Sequence, residues 1–238
     1  ASPVESQRRE STAGAASPPA TDDKSIAVLP FANMSADAEN EYFSDGMTEE
    51  IINALVQVPT LRVAARTSVF AFKGKADDLR TIAAKFNVRT VLEGSVRKAG
   101  NKIRITAQLI NAADGFHLWS ERYDRGLDDI FAVQDEIARM IVEKLKVKLA
   151  EDELRSLVTP STTDLEAYQL YLQGRYFWGQ RGAGLTKGLR CFEAALVRDP
   201  NYALAHAGVA DAYTLLGFYG YARPNDVMPK ARAAAERA

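Results

Sequence analysis

Strand-like patterning runs through this chain as far as Ala150 and then stops; every apolar pattern beyond that point has helical spacing. Alternation with a period of two and recurrence near 3.6 build different layers, so the switch divides the polypeptide into a mixed region and an all-helical one. Its 238 residues suffice for one large domain or two small ones. Apolar residues make up 47% and charged residues 26%, a balance that excludes wholesale disorder. Thirty Lys and Arg stand against 31 Asp and Glu, leaving a net charge of -1, which argues against a chain whose main work is holding nucleic-acid phosphates. Cys191 is the single cysteine and cannot close an internal disulfide, and with only His117 and His206 beside it no Cys/His zinc site is expected. No apolar run reaches the length of a membrane span and no signal peptide is evident, so no direct membrane insertion is expected.

Residues 1–23 are rich in Ala, Ser, Pro and charge, with Val4 the one strongly apolar side chain, and read as a disordered linker or tail. The chain opens on Ala, which suggests an excised piece of a longer protein. From Lys24 the pattern changes. Ile26 to Leu29 form a short apolar run closed by Pro30, the mark of a buried strand. A helix is expected to start near Ser44 or Asp45 and to carry Met47, Ile51, Leu55 and Val58 inward until Pro59 stops it. Leu61 to Ala64 reads as a second strand, and Asp77 or Asp78 as the cap of a helix with Leu79, Ile82, Ala83 and Phe86 on one stripe. Ile103, Ile105, Ala107 and Leu109 alternate with Lys102, Arg104, Thr106 and Gln108, and Ala99-Gly100-Asn101 supplies a hairpin turn before them. A third antiparallel strand follows Asp114-Gly115. After Gly126-Leu127-Asp128 a long helix turns Ile130, Val133, Ile137, Ile141 and Leu145 inward. The expected fold of residues 24–150 is an α+β domain, a mixed sheet with antiparallel hairpins and packed helices.

Past the break at residues 160–164 the pattern repeats. Gly174 and Phe177 correspond to Ala210 and Tyr213, an offset of 36 residues, against a period of about 34 for the tetratricopeptide repeat. Two extra residues in the turn at Gln180 to Leu185 account for the difference. The second helix of the first unit carries Gly188, Phe192, Ala195 and Pro200 at the positions where such a repeat wants small, aromatic, small and proline. Residues 163–238 are therefore expected to be an all-α tetratricopeptide-repeat segment, one unit complete and a second truncated. A lone unit cannot bury its own apolar face, so further units are expected in the parent protein.

The segments IAVLPF, EYFSDGMTEEIINAL, LRVAARTS, FKGK, VLEGSVRKAGNKIRITAQLINAADGFHLWSERYD and IFAVQDEIA closely resemble the TolB amino-terminal-like domain, here followed by tetratricopeptide repeats as in bacterial multidomain signalling proteins. In such proteins the domain stands downstream of a serine/threonine kinase, adenylate cyclase or winged-helix DNA-binding domain. The resemblance implies a sensing or scaffolding module joined to a peptide-binding solenoid, with no catalysis by this segment and no cofactor. It also implies that the first helix of each repeat lines the concave wall. Carried over residue by residue, the partner-contacting positions are Tyr168, Tyr171, Arg175 and Trp178 in the first unit and Asp211 and Thr214 in the second. Aromatics with Arg make a plausible anchor set for a protein or peptide, and the same aromatics could equally pack against the α+β domain.

Other chemistry-bearing residues read more blandly. Gly74-Lys75 lacks the glycine five positions earlier that a phosphate loop requires. Arg62, Arg66, Lys73 and Lys75 beside Phe70 and Phe72 could hold single-stranded nucleic acid, but read as a polar loop over the core. Glu49-Glu50, Asp77-Asp78 and Asp128-Asp129 read as charges at helix starts. His117 and Trp119 are expected on one face of a strand with Ser120 on the other, which makes no triad. His117 reads as a half-buried strand histidine, His206 as a core or groove residue and Cys191 as buried and inert. The leading expectation is a non-catalytic interaction and sensing region. The alternative is a small-ligand receptor, with a nucleotide or metabolite held between the α+β domain and the first repeat. A tether just outside a membrane anchor would place the module on the extracytoplasmic side, a regulator behind a winged helix in the cytoplasm.

Overall fold

The computed structural model describes residues 24–37, 40–75, 77–147 and 161–238. The linker expected over 1–23 and the end of the mixed region near 150 lie outside them.

Among the described residues, the first region is a six-stranded mixed sheet with helices against it. Strand β1 (Ser25–Val28) is wholly buried, and the short β2 (Ala32–Asn33) follows it after Pro30. Helix α1 (Glu41–Val56) leads to β3 (Arg62–Val63), then α2 (Arg66–Phe70) and α3 (Leu79–Phe86) lead to β4 (Thr90–Ala99). The spatial order is β3-β1-β4-β5-β6, with β1 parallel to both β3 and β4, and β2 parallel to β4. Strands β5 (Lys102–Asn111) and β6 (His117–Gly126) extend it as an antiparallel meander. A 3-10 turn over Leu127–Asp129 then delivers α4 (Ile130–Lys144) back onto the sheet.

The alternation expected in β5 holds: Ile103, Ile105, Ala107 and Leu109 are buried. Met47, Ile51 and Leu55 of α1 and Ile130, Val133, Ile137 and Ile141 of α4 join the same core. Thr48, buried in α1, accepts from the Phe31 amide at 2.9 Å and donates to the Ser44 carbonyl at 3.0 Å, tying α1 to the chain leaving β1. Ser25 and Thr90 lock the first strand to the fourth, the Thr90 hydroxyl donating to the Ser25 carbonyl at 2.7 Å.

Four expectations need correction. Helix α1 begins at Glu41, not near Ser44, so Glu49 and Glu50 lie in its interior rather than at a helix start. Asp78 does sit at the N-cap of α3, but its side chain makes no cap hydrogen bond. In β6 the register skips a residue, with His117 opposite Ile110 and Trp119 opposite Leu109. Successive residues of β5 face opposite ways, so this bulge sends His117 and Trp119 to opposite faces. His117 is exposed, not half-buried.

The second region holds four helices: α5 (Leu165–Gly179), α6 (Ala183–Arg198), α7 (Ala203–Phe218) and α8 (Pro224–Ala235). Each packs on the next. Asp164 caps α5, its Oδ1 accepting from the Ala167 amide at 2.8 Å. A Cβ on Gly174 or Gly208 would stand 2.5 Å or 2.8 Å from the Phe192 ring, so glycines on α5 and α7 form the notch that this ring of α6 fills. Helix α8 starts at Pro224, earlier than the Ala-rich stretch alone suggests, because proline at the first helical position sacrifices no intrahelical bond.

Candidate functional site

The inner face of α5 is where the two regions meet. Helix α1 passes so close to α5 that a Cβ on Gly46 would stand 2.5 Å from Leu172. Tyr168 and Tyr171 are buried in this junction. Tyr168 stacks edge-on against Phe131 of α4 at 4.9 Å, and its hydroxyl accepts from Gln134 Nε2 at 2.6 Å. Tyr171 lies 5.2 Å from the Tyr202 ring and 5.9 Å from Phe192. Of the two roles open to these tyrosines, packing is the one realised here: both rings are enclosed by their own chain and present no open surface to a partner.

Arg175 lies one turn further along. Its Nη2 donates to Glu49 Oε1 at 2.5 Å, while Arg66 Nε donates to Glu49 Oε2 at 2.9 Å. One buried carboxylate is thus forked between an arginine of each region. Charge-assisted bonds to both oxygens satisfy Glu49 where an unpaired charge would be costly. Arg175 titrates above its ordinary range: burial, the strongest influence, opposes the charge, but Glu49, Tyr171, Asp211 and Glu50 together outweigh it. Trp178 is half-buried, with the Arg181 guanidinium 4.0 Å from its ring centroid and that of Arg175 at 5.2 Å.

Glu50 is the odd member. It is half-buried as a residue, yet its Oε1 is enclosed without a hydrogen-bond partner, as are Arg175 Nε and Trp178 Nε1. Burial first, and the neighbouring Glu49 charge second, push its carboxyl up to about 7 against the pull of Arg175. Asp211 and Thr214 on α7 are exposed, Thr214 donating back to the Ala210 carbonyl at 2.8 Å. Of the positions expected on the concave wall, four meet the sheet region or lie beside its contacts, and Asp211 and Thr214 remain open.

The basic residues near Phe70 are largely spoken for. Lys73 binds Asp45 at 2.5 Å and Glu41 at 2.6 Å, Arg66 lies 4.2 Å over the Phe70 ring, and Lys75 lies 5.5 Å over Phe72. His206 is buried with Nε2 3.0 Å from the Pro200 carbonyl, and Cys191 is half-buried, its thiol pushed up by burial. Among the described residues no cluster of His, Cys, Asp or Glu is arranged to hold a metal ion, and no helix is long and apolar enough to cross a membrane.

The site residues that the sequence did not single out as a set are Glu49, Glu50 and Arg66. Arg66 is 17 residues from Glu49 and Arg175 is 126 residues away, so no local spacing advertises the fork. A signal did exist in the adjacent acids, but the misplaced start of α1 disguised it as capping.

Residues 22–140 match the family model described as HilA/YgeH-like transcriptional regulator, second domain. The chain belongs to that family. The matched span of this HilA/YgeH-like chain takes in the whole sheet and most of α4, and so includes Glu49, Glu50 and Arg66 but not Arg175. A protein of Rhizobium meliloti (strain 1021) named "Putative adenylate cyclase 3" is 48% identical over 211 residues, covering 88% of this chain. This chain spans 36% of that relative's length. Solved structures with a more distant likeness include TolB from Acinetobacter baumannii, at 14% identity and TM-score 0.38, covering 51% of this chain and 28% of that one. The C-terminal domain of LpoB from Salmonella enterica is 20% identical with a TM-score of 0.35, covering 44% of this chain and 84% of its own. A likeness that remote carries no further argument.

Proposed function

We propose that this chain is a non-catalytic regulatory and protein-interaction region of a bacterial signalling protein, in which the sheet region is a platform and the helical pairs are tetratricopeptide repeats. The observation that carries this reading is the use of the inner wall. Its first unit is spent on the platform through Tyr168 and Arg175, with Tyr171 buried against Tyr202 and Phe192, while Asp211 and Thr214 of the second continue the wall with open side chains. The 48% identity to a protein named for cyclase activity, over a span that is 36% of that protein, supports a regulatory segment beside an activity housed elsewhere. Selection of peptides from a random library on the purified chain tests it. Binders that lose about tenfold in affinity on the double change Asp211→Arg and Thr214→Glu are expected; a library without binders, or binders indifferent to the change, would refute it. ATP turned over to cyclic AMP by this chain with Mg²⁺ or Mn²⁺ would refute the non-catalytic part.

The second reading, a small-ligand receptor, is favoured by one feature. A cavity of about 460 Å³ lies beyond the carboxyl end of β1, bounded by Pro30, Phe72, Lys75, Glu93 and Gln108, a usual position for ligands in sheets with parallel strands. The place expected for such a ligand, between sheet region and first repeat, is instead filled by Leu172 against Gly46 and Tyr168 against Phe131.

A further inference from the structure

We infer that the junction between α1 and α5 is a proton-operated latch: with Glu50 protonated the helical pairs are clamped to the sheet region, and when Glu50 gives its proton to solvent the clamp loosens. The inference rests on the geometry of the junction and stands whether or not the repeats bind a partner.

Glu49 and Glu50 are neighbours on α1, yet they are provided for unequally. Both oxygens of Glu49 are held by guanidinium groups, Arg66 from α2 and Arg175 from α5. Glu50 has an enclosed Oε1 with no donor. The charged and titratable groups acting on the pair are Arg66 from α2, Arg175, Tyr168 and Tyr171 from α5, and Tyr202 at the start of α7, while Asp211 of α7 acts on Arg175. Gln134 of α4 is neutral and already committed to Tyr168. A neutral carboxyl fits this enclosure. An ionised one places a second negative charge beside Glu49, with Arg66 already committed to Glu49 and Arg175 alone left to serve both.

Ionised Glu50 has two ways to gain a donor. It can draw Arg175, whose Nε is itself without a partner, away from Glu49, or it can admit water to the junction. Drawing Arg175 only moves the deficit to Glu49 Oε1, so in either case the enclosure has one donor too few and must admit water, which loosens the packing of α5 on α1. The direction follows from the enclosure, which offers no donor to an ionised Oε1; burial accordingly pushes the carboxyl up from its usual 4.5 to about 7. The folded chain holds a proton that the open form releases, so closure is favoured at lower pH and is lost as pH rises through about 7.

Trp178 is a built-in reporter, because the Arg175 guanidinium lies 5.2 Å from its ring centroid and Trp119 of β6 is the other tryptophan. In a Trp119→Phe background of the whole chain, acrylamide quenching would be followed from pH 5.5 to 8.5, with amide hydrogen exchange of residues 165–179 and 102–111 measured alongside. The latch predicts that quenching of Trp178 rises and the protection factors of α5, exchange rates corrected for the intrinsic rate at each pH, fall by about threefold or more between pH 6 and 8, with a midpoint near 7, while the protection factors of β5 stay unchanged. Glu50→Gln should be flat and protected throughout; Glu50→Met, a second neutral replacement, should behave alike. A flat wild-type profile overturns the latch, and so does a rise that persists in Glu50→Gln. A rise lost instead in His206→Gln assigns the proton to that histidine and overturns it too. Protection factors falling equally in β5 mark global unfolding and exclude a local latch.

Discussion

In the sheet region Ile103, Ile105, Ala107 and Leu109 lay one buried side chain after another against Met47, Ile51, Ile137 and Ile141. In the helical region single aromatic rings carry comparable duty, Phe192 between Gly174 and Gly208 and Tyr171 between Phe192 and Tyr202. Many small contributions can be lost one at a time, whereas a ring set in a glycine notch has no neighbour able to fill its place. The hydrophobic core runs on without a break from the sheet region into the helical one. The helical region uses the other region as its first wall and, where α7 turns into α8, leaves Phe218, Tyr219 and Tyr221 exposed. Stability in the first is distributed; in the second it is concentrated and passed from pair to pair.

The sharpest way to break that contrast is to remove a notch ring. Phe192→Ala should cost about 3–5 kcal/mol, against about 0.5–1.5 kcal/mol for Ile105→Val in the sheet, both read from urea unfolding by circular dichroism. Equal losses would mean that the glycines do not concentrate the packing. Next in size is the junction. Arg175→Ala removes one charge-assisted bond while Arg66 still holds Glu49, a loss of about 1.5–3 kcal/mol. Hydrogen exchange should quicken in α5 and leave β4 and β5 as they were; quickening in the sheet would show that the regions fold as one cooperative unit. The smallest expected effect is Asp164→Ala, which removes the N-cap bond of α5 at about 1 kcal/mol. Its signature is fraying of the first turn of α5, and a loss above about 2 kcal/mol would show that Asp164 also works through its contact with Arg198.

The hairpin of β4 and β5, the inward stripes of α1 and α4 and the helix pairs were all legible in the amino-acid sequence, because each depends on side chains a few positions apart along one element. The notch was legible in part: Gly174 and Phe192 read as a small residue and an aromatic filling the gap between helices, but the repeat spacing pairs Gly174 with Ala210 and does not single out Gly208, the other side of the notch. Capping was less so: Asp164 does cap α5, but the acids at Glu49 and Glu50, which resemble caps as closely, lie inside α1. The bulge that separates His117 from Trp119 leaves no mark in composition, since it is a matter of register with a neighbouring strand. What only the tertiary structure decided is how the inner wall of α5 is used. Periodicity places Tyr168, Tyr171 and Arg175 on one face of a helix, but whether that face meets a partner or its own chain depends on where α1 and α4 come to rest. A carboxylate and a guanidinium 126 residues apart become neighbours only through the packing of everything between them, and burial then sets the titration of the acid beside them.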